Sequence, residues 1–191
     1  MEPFDASFHA WMRARFRSPL LGVKSLSRFL KGMPDAVPVE IQEVRDAAGI
    51  GQVAMLFREY ADSLDFPLDF QDFDQELRTL PGRYDPPMGE LLIARVAGKV
   101  AGCVGMRPLE PGACEMKRLY VRPAFRGLGI GRALARAIID RAQSRGYERM
   151  RLDTVPSMTT AQALYRSMGF VEIPAYRYNP IPGTVYLELS L

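Results

Sequence analysis

Hydrophobic residues in the middle of the chain fall into three short runs that are separated by turn residues. The runs are ELLIARVAG (90–98), KVAGCVGMRPL (99–109) and ACEMKRLYV (113–121). AGK at 97–99 and EPGA at 110–113 supply the glycines that tight hairpin turns favour. This pattern predicts three consecutive strands that pair as an antiparallel meander.

A helical pattern follows the meander. The spacing predicts a helix from about Gly131 to Arg145, whose apolar face comprises Leu134, Ala135, Ile138, Ile139 and Ala142. Gly146 is typical of a helix stop. ERMRLDTV (148–155) then predicts a strand. Because it follows a strand–helix unit, we expect it to run parallel to the strand that ends at Val121.

Further elements flank this centre on both sides. VEIQEVR (39–45) predicts a strand, and Asp46 is placed to cap the helix after it. A short helix is expected to begin near Asp72. Downstream, TTAQALYRSM (159–168) predicts a helix, and two last strands are expected at 170–173 and 184–189. The order of elements predicts an α/β fold with a mixed sheet.

The N-terminal arm differs from the rest of the chain in charge. Residues 1–33 hold six basic and two acidic side chains, a net charge of +4, so the remainder is close to neutral at −1. Phe8, Trp11, Met12 and Phe16 have the spacing of one helix face. We interpret residues 1–36 as a basic amphipathic extension and 37–191 as the domain. The arm either packs against the domain or contacts an acidic membrane or partner.

Composition excludes several kinds of chemistry. The two cysteines, Cys103 and Cys114, form neither a disulfide framework nor a zinc site, and the single histidine, His9, lies in the arm. We therefore expect no metal and no Ser-His-Asp or Cys-His nucleophile. The net charge of +3 does not predict nucleic-acid binding, and no apolar run is long enough for a transmembrane helix. A cytoplasmic protein is expected.

The stretch from Arg126 to Gly131 carries the chemistry that remains. Gly127, Gly129 and Gly131 alternate where a predicted strand gives way to a helix, directly after Arg126. Unpaired N–H groups and the positive end of the helix dipole point outward there, and glycines let an anion reach the main chain. The spacing is neither a Walker A loop nor a dinucleotide fingerprint. It predicts a cradle for a pyrophosphate; the alternative is a flexible turn into the helix.

The spacing Arg126-x-x-Gly129-x-Gly131 lies within CEMKRLYVRPAFRGLGIGRALARAIIDRAQSRGYERMRLDT (114–154), and ALYRSMGF (163–170) follows later in the chain. Together these segments resemble the GNAT superfamily of acyl-CoA-dependent N-acyltransferases, over roughly residues 37–191. The resemblance implies a mixed, mostly antiparallel sheet of six to seven strands flanked by helices, with one splayed parallel pair. It also implies acetyl-CoA as cosubstrate, bound by Leu119, Val121, Arg126, Gly127, Gly129, Gly131 and Arg132.

The same resemblance assigns two catalytic residues. Glu115 matches the position of a general base, with a structural carboxylate paired to a nearby cation as the alternative. Tyr165 matches the general acid that protonates the sulfur of coenzyme A; the alternative is a buried tyrosine bonded locally. Strand alternation predicts that Glu115, Lys117, Leu119 and Val121 share one face. Met158 stands where many relatives carry an asparagine, which leaves the contact to the pantetheine arm to Ser157 or Thr159.

The acceptor side is predicted from an acidic segment with interleaved aromatic residues. Asp65, Phe66 and Phe70 are the candidate substrate-binding residues there, and a solvated loop with Asp69 or Asp72 as a helix cap is the alternative. We expect an N-acetyltransferase that acts on a primary amine of a small molecule or peptide, as a monomer or homodimer. The alternatives are a non-catalytic acyl-CoA sensor and a protein acetyltransferase that docks through its basic arm.

Overall fold

The computed structural model describes residues 38–68 and 71–191. Within these residues, four helices surround one seven-stranded sheet whose order is β1-β2-β3-β4-β5-β7-β6. The strands are β1 (Val39–Glu43), β2 (Glu90–Val96), β3 (Lys99–Glu110), β4 (Ala113–Val121), β5 (Arg149–Thr154), β6 (Val171–Ile173) and β7 (Val185–Ser190). The helices are α1 (Ala47–Asp62), α2 (Phe73–Arg78), α3 (Ile130–Ser144) and α4 (Thr159–Ser167).

The predicted meander is confirmed. β2, β3 and β4 are consecutive antiparallel neighbours, and their turns fall at Ala97–Gly98 and Pro111–Gly112. β4 and β5 form the single parallel pair among the described strands, as the intervening helix required. The predicted fold class, a mostly antiparallel sheet with one parallel pair and flanking helices, is therefore confirmed.

Helices cover both faces of the sheet. On one face, α1 buries Val53, Leu56 and Phe57 against residues of β2 and β3. On the other, α3 buries Leu134 and Ile138, both fully enclosed. Each such side chain contributes roughly 1.5–3 kcal/mol of hydrophobic stabilisation.

Asp46 and Asp72 were both candidates to cap the start of a helix, and of the two only Asp46 makes the capping bond. At the start of α1, the side chain of Asp46 accepts a hydrogen bond from the N–H of Gly49 at 2.7 Å, as the sequence predicted. Asp72 occupies the corresponding position of α2 but makes no side-chain capping bond. Its left-handed backbone, with a φ of 53°, differs from the extended conformation that a capping residue adopts.

A β-bulge in β4 contradicts the prediction that Glu115, Lys117, Leu119 and Val121 share one face. β3 advances two residues, from Cys103 to Gly105, while β4 advances three between their partners Tyr120 and Lys117. Arg118 lies in this bulge with a left-handed φ of 56°. The extra residue reverses the alternation, because one added residue moves every later side chain to the opposite face. Leu119 and Val121 consequently pack on the α3 side, together with Met116.

The parallel pair β4–β5 opens soon after it forms. Ala113, Cys114 and Glu115 are paired with residues 149–151, and no pair beyond Glu115 continues the ladder. The edge of β4 from Met116 to Val121 is thus left without a neighbouring strand on the side that faces β5. The splayed pair predicted from the resemblance is present, and it opens toward the N-terminus of α3.

Several predictions concern residues outside the described ranges. They are that the arm at 1–36 forms a basic amphipathic extension that contacts the domain, a membrane or a partner, that Asp69 caps a helix, and that Phe70 binds the substrate. The division of the chain at residue 36 stays a prediction. In the part of the chain that the structure describes, no helix has the length and hydrophobicity needed to cross a membrane.

Candidate active site

A cavity of about 830 Å³ lies where β4 and β5 separate. The glycine loop and the first turn of α3 form one end, and α4 forms a side wall. The segment that follows α1 also lines the cavity. All seven residues predicted to bind the cofactor line this cavity: Leu119, Val121, Arg126, Gly127, Gly129, Gly131 and Arg132.

The glycine loop presents bare main chain to the cavity. Gly127 and Gly129 have left-handed φ values of 81° and 75°, and a Cβ on either would point into open space. The first backbone hydrogen bond of α3 runs from the N–H of Ala133 to the carbonyl of Gly129 at 3.0 Å. The N–H groups just before Ala133 therefore have no partner within the helix, and the helix dipole makes this end positive.

Two arginines add positive charge beside the loop. Arg126 donates from Nε to the carbonyl oxygen of Val121 at 3.1 Å, and Arg132 donates to the hydroxyl of Ser167 at 2.8 Å. Both side chains remain exposed, so their other N–H groups are accessible to a ligand. Main-chain donors, helix dipole and guanidinium groups together form a site suited to a diphosphate.

Tyr165 projects from α4 into the same cavity. Its side chain is 7% exposed and packs against Phe170, with ring centroids 5.7 Å apart. Burial raises the pKa of the hydroxyl, so it stays protonated through the neutral range. The structure gives this hydroxyl no hydrogen-bond partner within the described part of the chain, so the local bond of the alternative interpretation is not found there.

Glu115 lies behind the cavity wall, not on it. Its carboxylate is 1% exposed and accepts hydrogen bonds of 2.9 Å from Nε of Arg107, from the hydroxyl of Tyr176 and from Arg177. Burial alone would raise its pKa, but the positive charges of Lys117, Arg107 and Arg177 lower it to about 2. A carboxylate so fully paired is a weak proton acceptor. The surroundings favour the structural alternative that the sequence left open.

Lys117 and Asp153 lie at the point where the strands separate, and both line the cavity. Nζ of Lys117 is 3.4 Å from Oδ1 of Asp153, and each side chain is 5% exposed. Asp153 was not singled out from the sequence, and Lys117 was noted only for its face. The sequence carries no signal for this pairing, because it depends on the register of β4 on β5: continued from Glu115 opposite Arg151, that register places Lys117 opposite Asp153.

Two of the three predicted substrate residues line the cavity in the segment that follows α1. Asp65 is exposed and Phe66 is half-buried, and both line the cavity beside Tyr60. Arg118 forms the adjoining wall, where Nε and Nη2 donate to the two carboxylate oxygens of Glu76 at 3.1 and 2.6 Å. Glu76, one of the acidic residues of this segment, is therefore neutralised within the fold.

Near the start of α4, Ser157, Met158 and Thr159 all line the cavity, so both polar candidates for the missing asparagine contact are in place. Neither Tyr84 nor Tyr176 lines the cavity. Tyr84 is buried and donates to Glu76 at 2.6 Å, and the half-buried Tyr176 donates to Glu115. These bonds direct both hydroxyls into the fold.

Known proteins match this chain in sequence and in fold. The model of the acetyltransferase (GNAT) family matches residues 53–170. An uncharacterized N-acetyltransferase of Schizosaccharomyces pombe is 41% identical over 155 residues, which cover 80% of this chain and 95% of that protein. An N-acetylaspartate synthetase of Homo sapiens is 34% identical over 107 residues, which cover 56% of this chain and 34% of that protein.

Solved structures share the fold. A putative acetyltransferase from Salmonella typhimurium, solved with its cofactor acetyl-CoA, aligns with a TM-score of 0.60 at 20% identity, covering 80% of this chain and 94% of that chain. The sequence matches confirm the family resemblance and the enzyme class predicted from the glycine loop, and the structural match confirms the fold.

Proposed function

Because the chain belongs to the acetyltransferase (GNAT) family and is therefore an acyltransferase, we propose that it transfers an acetyl group from acetyl-CoA to a primary amine of a small molecule or peptide. We further propose direct attack by the amine in a complex that holds both substrates. Neither of the two cysteines supports a covalent acetyl-enzyme, since both are buried and neither lines the cavity.

The continuous cavity carries this proposal. It joins the glycine loop, the open edge of β4 and the hydroxyl of Tyr165 in one space of about 830 Å³. Space for a phosphate exists at Gly127 and Gly129, where even a Cβ would meet no protein atom. Acetyl-CoA, when bound, supplies a thioester whose acetyl carbon is open to attack. The residues present fit that molecule in charge at the loop and in unpaired main chain along β4.

Each part of the cavity has a role in the proposal. The loop N–H groups, with Arg126 and Arg132, hold the diphosphate. The edge of β4 at Leu119 and Val121 offers main-chain groups to an extended chain, and an N–H there stabilises negative charge on the acetyl oxygen. Tyr165 donates its proton to the sulfur as the leaving thiolate develops charge.

The acceptor enters from the end lined by Asp65 and Phe66 in this proposal. A carboxylate and an aromatic face suit a cationic amine before it loses its proton. The relative named N-acetylaspartate synthetase, whose name describes an acetylated amino acid, supports a small amine as the acceptor. Phe70, predicted for the same role, lies outside the described residues.

A screen of amines, polyamines, amino acids and peptides tests the proposal. The full-length protein is incubated with acetyl-CoA and each acceptor, and the release of free thiol is compared with a reaction lacking acceptor. We expect amine-dependent thiol release, with the acetylated amine identified by mass spectrometry. Thiol release that no amine in the panel accelerates, or product acetylated on oxygen, would contradict an N-acetyltransferase with this acceptor class.

A further inference from the structure

The ion pair between Lys117 and Asp153 occupies an unusual position in the sheet. The last residues of the parallel ladder are Glu115 and Arg151, and Lys117 and Asp153 are the next cross-strand pair in that register. Their strands have already begun to separate, so the two side chains bridge the apex of the opening. Both face the cavity from opposite strands, and both are almost fully buried.

Among the described residues, polar and charged groups from several elements surround Nζ of Lys117. Oε1 of Gln71, in the segment before α2, accepts a hydrogen bond at 3.0 Å, and Oε1 of Glu115 lies 4.0 Å away. The neighbouring charges come from three elements: Glu115 and Arg118 of β4, Asp153 of β5, and Arg177 of the segment between β6 and β7. Two cations and two carboxylates thus surround this amine.

The carboxylates of this cluster are poor proton acceptors. Glu115 is held by Arg107, Arg177 and Tyr176. Asp153 accepts from the amide of Asn179 at 2.9 Å and pairs with Lys117. Burial would raise the pKa of Asp153, but the charges of Lys117 and Arg177 lower it below its usual range.

Lys117 differs from its neighbours in its protonation. Burial lowers the pKa of this amine to about 8, against the opposing effect of Glu115 and Asp153. An appreciable neutral fraction is therefore present in the range in which an acetyl acceptor must lose its proton. The histidine that often serves this purpose is absent from the described residues, since the chain's single histidine is His9.

We propose that Lys117 accepts the proton of the attacking amine, and that Asp153 positions Lys117 across the strand opening. This inference rests on the proposed acetyl transfer. The acceptor first loses its ammonium proton to solvent; its neutral nitrogen then forms a bond to the acetyl carbon, and the bond from that carbon to sulfur breaks. The proton on nitrogen passes to the lone pair of Nζ, while the sulfur takes the proton of Tyr165. Proton transfer through solvent then returns both side chains to their starting states.

Two substitutions separate this role from a purely structural one. Lys117→Arg keeps the positive charge that balances Glu115 and Asp153 but cannot take up a proton. Lys117→Met keeps an unbranched side chain of similar length and removes both properties. We expect each variant to lose about 100-fold or more in kcat at pH 7.5, the range for loss of a general base. Acetyl-CoA binding, measured by calorimetry, should remain within about threefold of the wild type.

The pH profile supplies a second readout. For the wild type, kcat/KM should show a rise with a midpoint near pH 8 in addition to any rise from the acceptor's own ionisation, and the component near pH 8 should be absent in Lys117→Arg. Asp153→Asn should move the rise to lower pH, because removing a negative charge favours neutral Lys117. A rise that stays in place or moves upward would contradict the part assigned to Asp153.

Competitive labelling of the free protein with acetic anhydride gives a readout without substrates. The rate at Lys117, followed by mass spectrometry against pH, should titrate near 8, with a small alkylamine in the same solution as the reference. The proposal is overturned if Lys117→Arg retains more than a third of wild-type kcat, or if Lys117 titrates together with the alkylamine. It is also overturned if acetyl-CoA alone leaves a stable acetyl group on Lys117, since the amine would then be a target of transfer.

These outcomes are distinct from failure of the proposed function. A wild-type protein that acetylates no amine contradicts the function, while labelling still reports on Lys117. A wild-type protein that acetylates an amine with the same pH profile as Lys117→Arg contradicts only the role of Lys117.

Discussion

Replacement of Glu115 by glutamine tests whether this buried carboxylate is an anchor of the fold or the proton acceptor that the resemblance implied. The carboxylate is 1% exposed and contacts Arg107, Tyr176 and Arg177. A pKa lowered from the usual 4.5 to about 2 corresponds to roughly 3 kcal/mol of stabilisation at neutral pH, at 1.36 kcal/mol for each pH unit. Breaking a buried ion pair from one side has a similar cost of ~3–5 kcal/mol.

The sign of the pH dependence follows from the lowered pKa. The stabilisation by Glu115 is fully present above about pH 4.5 and disappears as the pH falls toward 2, where the folded carboxylate also takes up a proton. Glutamine has no such dependence. The difference in unfolding free energy between wild type and Glu115→Gln should therefore be about 3 kcal/mol at pH 7, and about 1.4 kcal/mol smaller at pH 3.5.

Urea unfolding followed by circular dichroism at both pH values measures this difference. The loss at pH 7 should also lower the melting temperature by about 6–12 °C, given about 2–4 °C per kcal/mol at this chain length. Glu172→Gln is the matched control, because it removes a carboxylate from an exposed ion pair. The side chain of Glu172 is 65% exposed, and its carboxylate lies 3.6 Å from the guanidinium of Arg166. We expect a change of about 0–1 kcal/mol in the unfolding free energy.

The kinetics of Glu115→Gln distinguish an anchor of the fold from a general base. An anchor predicts a loss of kcat that is nearly independent of pH and accompanies the loss of stability. A general base predicts normal stability and a rate loss that shrinks as the pH rises. The anchoring role is refuted if Glu115→Gln loses less than about 1 kcal/mol while kcat falls about 100-fold with that pH dependence.

Three further substitutions test the rest of the site. Tyr165→Phe should lower kcat by about 10²-fold or more with acetyl-CoA affinity unchanged; equal turnover in a thiol-release assay would remove its role as acid. Gly129→Glu should weaken acetyl-CoA binding at least about tenfold in calorimetry by placing a negative charge in the anion cradle. Gly146→Glu is its control, since Gly146 has a similar left-handed φ of 77° and equally open surroundings at the other end of α3; parallel losses would indicate backbone strain alone. Arg118→Lys should lose about 1–3 kcal/mol in urea unfolding, because lysine cannot form both bonds to Glu76; unchanged stability would show that this pair contributes nothing.

Local signals in the sequence determined the features that depend only on residues close together along the chain. Gly98 and Gly112, both with positive φ, form the meander turns where hairpins require that conformation. Asp46 caps α1 through a contact three residues away. The apolar stripe of α3 and the glycines before it predicted a helix start with bare main chain, which the structure shows, since both features are encoded by adjacent residues.

Contacts between distant segments decided the chemistry of the strands. Glu115 matches a base by position, yet its partners Tyr176 and Arg177 lie 61 and 62 residues away and make it an ion-paired carboxylate. The bulge at Arg118 depends on pairing with β3, so alternation along β4 alone assigned Leu119 and Val121 to the wrong face. A residue's type fixes its possible charges, but the partners that burial brings to it decide which charge it keeps.

The pairing of Lys117 with Asp153 also depends on both the sequence and the tertiary structure. Both residues are visible in the sequence, 36 positions apart, but only the register of β4 on β5 places them opposite each other. The strand opening that leaves them facing a cavity arises because the ladder stops at Glu115, which the packing of the whole sheet decides. The sequence by itself determined which groups could carry a proton; tertiary structure determined which of them is buried, paired and accessible from the cavity.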